Sequence, residues 1–232
     1  MGLPHYLAMT PEEFATSSSL PEHIAWMSCR FSPDGNGLMQ VPTTLPTGSI
    51  LVLDDAISPK GQDPAQIMEQ LKPVLKGVCG LLLDFQKPGN PETATLAKAL
   101  VQLQLCPTGV SEPYAQALDC PVFLPPVPLH RSVEEYLAPY AGREIWLDTV
   151  PGMETILITS EGMKYMTAME EAPGKLHHDS LLHCHYRTTV TERDIRFSLF
   201  RTVSDEADFL KTAAELGVTR TFGLYQEYQN KS

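Results

Sequence analysis

Val78-Cys79-Gly80-Leu81-Leu82-Leu83-Asp84-Phe85 is an apolar run of one strand's length, preceded by Gly77 and carrying a carboxylate near its end. A second run, Ser49-Ile50-Leu51-Val52-Leu53-Asp54, has the same form. Neither alternates polar with apolar positions, so both suit a parallel sheet covered on its two faces rather than a sheet with one wet face. Between them, Asp63, Pro64 and Gln66 carry a helix-start pattern: a capping side chain, proline at the first helical position and an amide at the third. Gly77 is placed to stop that helix. After the run ending at Phe85, Asn90-Pro91-Glu92 starts another helix that reaches about Leu105.

Moving outward, further runs occur at residues 23–30 (HIAWMSCR), 108–111 (TGVS), 121–124 (PVFL), 144–149 (EIWLDT) and 219–225 (TRTFGLY). Helical patches intervene at residues 112–118, from Ser132 with Glu135 completing a capping box, and at residues 204–216 before Gly217. From Thr155 to Thr202 the period changes to two, as in residues 186–190 and 195–201, which marks antiparallel hairpins. With residues 195–201 counted as the seventh strand, the runs number eight. The expected fold class is α/β: a compact (β/α)8 TIM-like barrel with an antiparallel β-hairpin insertion before the last strands. Residues 1–232 are read as a single barrel domain with a β-rich insertion at about 155–194. Residues 32–48 carry no helix signal, which a regular barrel would supply. An open doubly wound sheet is the competing topology, but no G-x-G-x-x-G follows the first strand.

Composition narrows the function. The 232 residues are 43% hydrophobic and 19% charged, with 17 Lys and Arg against 28 Asp and Glu, a formal charge of -11. A chain this apolar can build a core, and one this acidic, with no basic run, is not expected to bind nucleic acid or an anionic membrane. The first 20 residues lack a basic segment followed by an apolar one, and no stretch approaches 18 apolar residues, so a cytoplasmic protein is expected. Five scattered cysteines without a C-x-x-C pair read as reduced thiols. No P-loop or G-x-S-x-G elbow is present, and no cofactor is expected. Nothing in the sequence bears on oligomeric state.

In such a barrel, chemistry gathers where the strands end. Asp54 and Asp55 end one strand, Asp84 ends the next with Gln86 two residues on, Glu112 and Asp148 follow two others, and Glu227 follows the last. Asp84, Glu112, Asp148 and Glu227 are the candidate catalytic carboxylates, with Asp54, Gln86 and Tyr225 as candidate ligand-binding groups. Any one of these aspartates could equally be a turn former or cap, so the functional reading rests on their collection at one end. The aromatics Phe31, Phe85, Tyr225 and Tyr228 could stack on a sugar ring or pack in the core.

The segment Cys79-Gly80-Leu81-Leu82-Leu83-Asp84-Phe85-Gln86 resembles a degraded D-G-x-D-x-D-x-E strand of the family-18, chitinase-like glycoside hydrolases. In that family the final Glu is the general acid, and the preceding Asp orients it and the substrate's acetamido group. Gly80 and Asp84 match; Cys79, Leu82 and Gln86 depart, and Gln86 stands where the acid should be. The chain also resembles bacterial barrel proteins with a strand ending Leu-Leu-Asp-Phe-Gln, a likeness that implies no activity. The resemblance implies a carbohydrate-like ligand, with acid catalysis lost or moved to Glu112 or Glu227.

A separate cluster, His177, His178, Asp179, His183 and His185, holds four of the seven histidines. His183 and His185, if both on one strand, would share a face and offer an H-x-H start for a metal, completed by Asp179 or Glu192; Arg187 on that face argues against it. No metal is assigned. Three functions follow: a glycoside-hydrolase-like enzyme, a non-catalytic carbohydrate- or partner-binding barrel, and a metal-dependent hydrolase built on residues 177–185.

Overall fold

The computed structural model describes residues 2–43, 45–149, 154–159, 176–190 and 194–225. The eight barrel strands are β1 (His5–Met9), β2 (Ile24–Phe31), β4 (Ile50–Asp54), β5 (Gly80–Asp84), β6 (Thr108–Ser111), β7 (Val122–Leu124), β8 (Ile145–Asp148) and β13 (Val218–Leu224). They run in the order β1-β13-β8-β7-β6-β5-β4-β2, and β1 pairs with β2 to close the ring. Every pairing around the ring is parallel. Among the described residues six α-helices connect or flank these strands: α1 (Pro11–Thr16), α2 (Pro64–Leu75), α3 (Pro91–Gln102), α4 (Glu112–Ala115), α5 (Val133–Leu137) and α6 (Val203–Glu215). Asp63 and Asn90 cap α2 and α3 as expected, each with proline next. Gly77 does not take the left-handed conformation of a helix stop; α2 ends earlier, at Leu75.

The sequence count of eight is right, but its membership differs in two places. Residues 5–9 form a barrel strand the pattern did not single out, held by pairing to β2 and β13 on either side. Residues 195–201 are not a barrel strand. They lie largely in β12 (Asp194–Phe200) of a separate antiparallel sheet with β9 (Glu154–Thr159), β10 (Leu176–Asp179) and β11 (Cys184–Val190), ordered β10-β11-β12-β9. This sheet and α6 lie in the connection between β8 and β13. Among the described residues, the connection after β2 holds no helix and one short strand, β3 (Leu38–Met39), which folds back antiparallel onto the end of β2.

Strand alternation divides the core in two. Tyr6, Ala25, Ile50, Val52, Leu82, Phe123, Trp146 and Phe222 fill the barrel interior. Leu51, Leu53, Leu81, Leu83, Ile145 and Leu147 face outward beneath the helices, alongside Ile67, Leu71, Leu96 and Leu100. The interior is a packed core in which Trp146 is wholly buried. Room for its ring comes from two strand glycines: a Cβ at Gly109 would stand 2.3 Å from the Trp146 ring, and one at Gly80 would stand 3.1 Å from it. Below the ring, the Arg220 guanidinium sits 4.5 Å from the Trp146 centroid and donates to the Cys79 carbonyl at 3.2 Å. Among the described residues no helix is long and apolar enough to cross a membrane.

Candidate functional site

The interior alternation that seats Val52, Leu82 and Trp146 carries Asp54, Asp84 and Asp148, two residues further along each strand, onto the same side at the C-terminal mouth. Asp54 and Asp84 are direct register partners on β4 and β5. Ser111, two residues beyond Gly109 on β6, joins them and is buried. The mouth is therefore a polar layer set on an aromatic and aliphatic floor.

Asp84 is the centre of this layer. Its Oδ1 accepts from the Gln86 side-chain amide, and Ser111 Oγ lies 3.3 Å from the same oxygen. Burial pushes the Asp84 carboxyl above the usual carboxylate range; the hydrogen bonds from Gln86 and Ser111 oppose this, and the nearby charges of Asp54 and Asp55 add to it. Asp54 Oδ1 accepts from the Ala56 amide at 2.9 Å, so part of its role is to shape the turn after β4.

Asp55, a strand-end carboxylate in the sequence but not one of the candidate site groups, is the residue that ties this mouth together. It is buried, accepts from the Gln86 amide at 3.2 Å and from the Lys87 amide at 2.9 Å, and so ties the loop after β4 to the loop after β5. Lys87 completes the tie by donating to the Asp55 and Ala56 carbonyls. Gln86 is thus held from both its backbone and its side chain.

Asp148 apart, the remaining candidates are spread out. Glu112 opens α4, and its Oε1 accepts from Gln116 at 2.8 Å along the helix; burial pushes the Tyr136 and Tyr140 hydroxyls up, and the charge of Glu112 adds to this. Asp148 ends β8, where the following Thr149 is fixed by two hydrogen bonds to the Phe222 carbonyl. Tyr225 is buried in the layer between barrel and helices, with its hydroxyl against Ser17 and 3.3 Å from the Ser19 carbonyl. Phe31 and Phe85 are fully buried 6.1 Å apart and are core residues, not stacking platforms. Glu227 and Tyr228 lie outside the described residues.

The histidine cluster is rearranged relative to its sequence reading. His183 sits at a turn with φ 48°, outside β11, so the H-x-H pair does not share a strand. Asp179 accepts from the Leu181 and Leu182 amides in that turn, and Glu192 lies outside the described residues. Instead, His178 and His185 face one another across β10 and β11 and both reach Asp205 on α6. Burial alone would raise the Asp205 carboxyl; the Thr202 amide, His185 and the Thr202 hydroxyl hold it down at about 2.

No protein-family model matches the sequence, and no curated protein does. In structure the chain is similar to a chitinase from Chromobacterium violaceum, with TM-score 0.55 and 9% identity over 95% of this chain and 93% of that one. It is similar also to a glutamate-to-glutamine mutant of the class V chitinase from Nicotiana tobaccum in complex with NAG4, with TM-score 0.52 and 10% identity over 96% and 93%. A third similar structure is the chitinase-like agglutinin from Robinia pseudoacacia, with TM-score 0.52 and 12% identity over 94% and 93%. The fold is that of a closed (β/α)8 barrel, remotely similar in structure to those of the family-18 chitinases.

Proposed function

We propose that the barrel binds a carbohydrate of the N-acetylglucosamine-oligomer type at its mouth, through Asp84, Gln86, Asp54 and Asp148, without the acid step of the chitinases. The observation that carries this is Gln86, an amide fixed against Asp84 at the end of β5, where the resemblance would place a carboxylic acid. An amide keeps the shape and hydrogen bonding of a carboxyl group but has no proton to give a leaving oxygen. Two neighbours support the reading: one is a glutamate-to-glutamine chitinase mutant in complex with NAG4, and the other is described as a chitinase-like agglutinin. Arrays of fixed polar groups over an apolar floor are the ordinary form of a sugar-sized site.

Titration calorimetry with (GlcNAc)4, followed by chromatography of the incubated mixture, tests both halves. Saturable binding weakened about tenfold or more by Asp84→Ala, with no shortened product, is expected. Absence of binding removes the carbohydrate reading.

The adjacency of Asp54 and Asp84 as register partners at the mouth favours a second reading, a glycoside hydrolase that draws its base or nucleophile from this layer. Glu112 or Glu227 would protonate the leaving oxygen and a second carboxylate, Asp84 or Asp148, would act as base or nucleophile. Product formation that Glu112→Gln with Glu227→Gln abolishes would replace the first reading with this one.

A further inference from the structure

Away from the barrel mouth, two strands and a helix bring three metal-ligating side chains to one point. His178 on β10 and His185 on β11 are cross-strand partners with ring centroids 4.8 Å apart. His178 Nε2 lies 3.1 Å from Asp205 Oδ1, and His185 Nδ1 lies 2.7 Å from Asp205 Oδ2. The three donor atoms all fall within 4.8 Å of one another. With bonds of about 2.0–2.2 Å, tetrahedral zinc holds its ligand atoms roughly 3.3 Å apart, so small side-chain adjustments would complete the geometry.

Asp205 is held in place independently of the two imidazoles. Asp205 already closes a reciprocal cap at the start of α6, accepting from Thr202 N and Oγ1, each at 2.8 Å, while Thr202 Oγ1 accepts from the Asp205 amide. The two imidazoles are additional to that cap. The cap also provides the orientation that metal-binding carboxylates characteristically receive from an outer hydrogen bond. Burial differs in a useful way across the cluster: the Asp205 side chain is 4% exposed, His185 23% and His178 50%. The anionic ligand is therefore sheltered, and the side facing solvent is left for a fourth ligand. On taking a metal, each neutral imidazole would carry its proton on the other ring nitrogen and turn a lone pair to the ion from the atom that now meets the carboxylate. Arg187, further along the same face of β11, is exposed to solvent, where its charge is screened.

We propose that His178, His185 and Asp205 form a binding site for a divalent transition metal of the zinc class, with three protein ligands and one position open to water. Imidazole nitrogen with a single carboxylate is a donor set that suits zinc better than calcium or magnesium, which take oxygen.

The test uses the full chain without a histidine tag, stripped with chelator and titrated with Zn²⁺ alone and with Co²⁺ alone. Expected results are one equivalent of either metal per chain, visible absorbance of tetrahedral type with Co²⁺, and a rise in Tm with Zn²⁺. His178→Ala and His185→Ala should each weaken binding by at least about tenfold, while His183→Ala leaves it unchanged. His178→Ala is the decisive variant because that side chain is half exposed and outside the α6 cap, so the protein should still fold; its circular dichroism confirms this. Less than stoichiometric uptake, or uptake that survives both His178→Ala and His185→Ala, overturns the proposal.

Discussion

Gly109→Ala is a case where two physical effects of opposite sign compete and the structure decides between them. Gly109 does not adopt a left-handed φ, so alanine is conformationally allowed there. On backbone entropy alone the substitution would stabilise the protein by about 0.4–1 kcal/mol, because the unfolded chain loses freedom. The new methyl group, however, would stand 2.3 Å from Trp146 Cε3 and 2.7 Å from Cδ2 and Cζ3. Trp146 is wholly buried, tethered to Glu144 by its Nε1 at 3.0 Å and packed against Arg220 and Phe222, so its ring has nowhere to retreat. Overpacking of this kind costs about 1–3 kcal/mol, which outweighs the entropic gain. The net loss of about 1–2 kcal/mol corresponds to a fall of roughly 2–8 °C in Tm for a chain of this size.

Gly77→Ala is the matched control, since its Cβ would meet only the Val74 carbonyl at an ordinary 3.6 Å. It should raise Tm by roughly 1–4 °C. Thermal unfolding followed by circular dichroism reads both, and a Trp146→Phe background should reduce the Gly109→Ala penalty, because the clashing atoms belong to the six-membered ring of the indole. If Gly109→Ala raises Tm as Gly77→Ala does, the barrel interior is not packed as described.

Asp84→Asn bears on the mouth itself. A carboxyl whose folded pKa is raised makes ionisation unfavourable to the fold, so its cost is absent below the unfolded pKa and grows as pH rises through the folded one. The variant should therefore be more stable than the parent at pH 7, with the gain vanishing toward pH 3; equal differences at both pH values would contradict the buried position of Asp84. Arg220→Met removes the cation over Trp146 and the donor to the Cys79 carbonyl, and should cost about 2 kcal/mol in urea unfolding. Asn90→Ala deletes the cap that accepts from the Glu92 and Thr93 amides, and about 1 kcal/mol should be lost without change in ligand binding.

What the sequence disclosed and what it hid follow from how local each feature is. The runs ending in Asp54, Asp84 and Asp148 announced both their burial and their polar ends, because alternation places every second residue on one side whatever the partner strand. Choice of partner is not local. Residues 195–201 carry an unmistakable strand pattern, yet nothing in it specifies pairing with β9 and β11 rather than with a barrel strand. The first strand, His5–Met9, was hidden for the converse reason. Five residues of mixed polarity gain their strand conformation from neighbours at Ile24 and at Thr221, the latter more than 200 positions away. The metal-type cluster shows the same limit: a cross-strand histidine pair depends on hairpin register, and its third member, Asp205, lies 27 and 20 positions from the two histidines in the helix that follows.

The closing order of the ring also has a consequence for synthesis. Seven barrel strands, from β1 to β8, emerge before Asp148, while the eighth begins only at Val218. At about 5–20 residues per second, the intervening chain of roughly 70 residues keeps the ribosome occupied for some 4–14 s. Until then β1 and β8, the two partners that β13 will bridge, are raw edges with unpaired amides and carbonyls. The nascent chain thus passes through an interval in which it is most open to chaperones and to mispairing, and its antiparallel insertion sets how long that interval lasts.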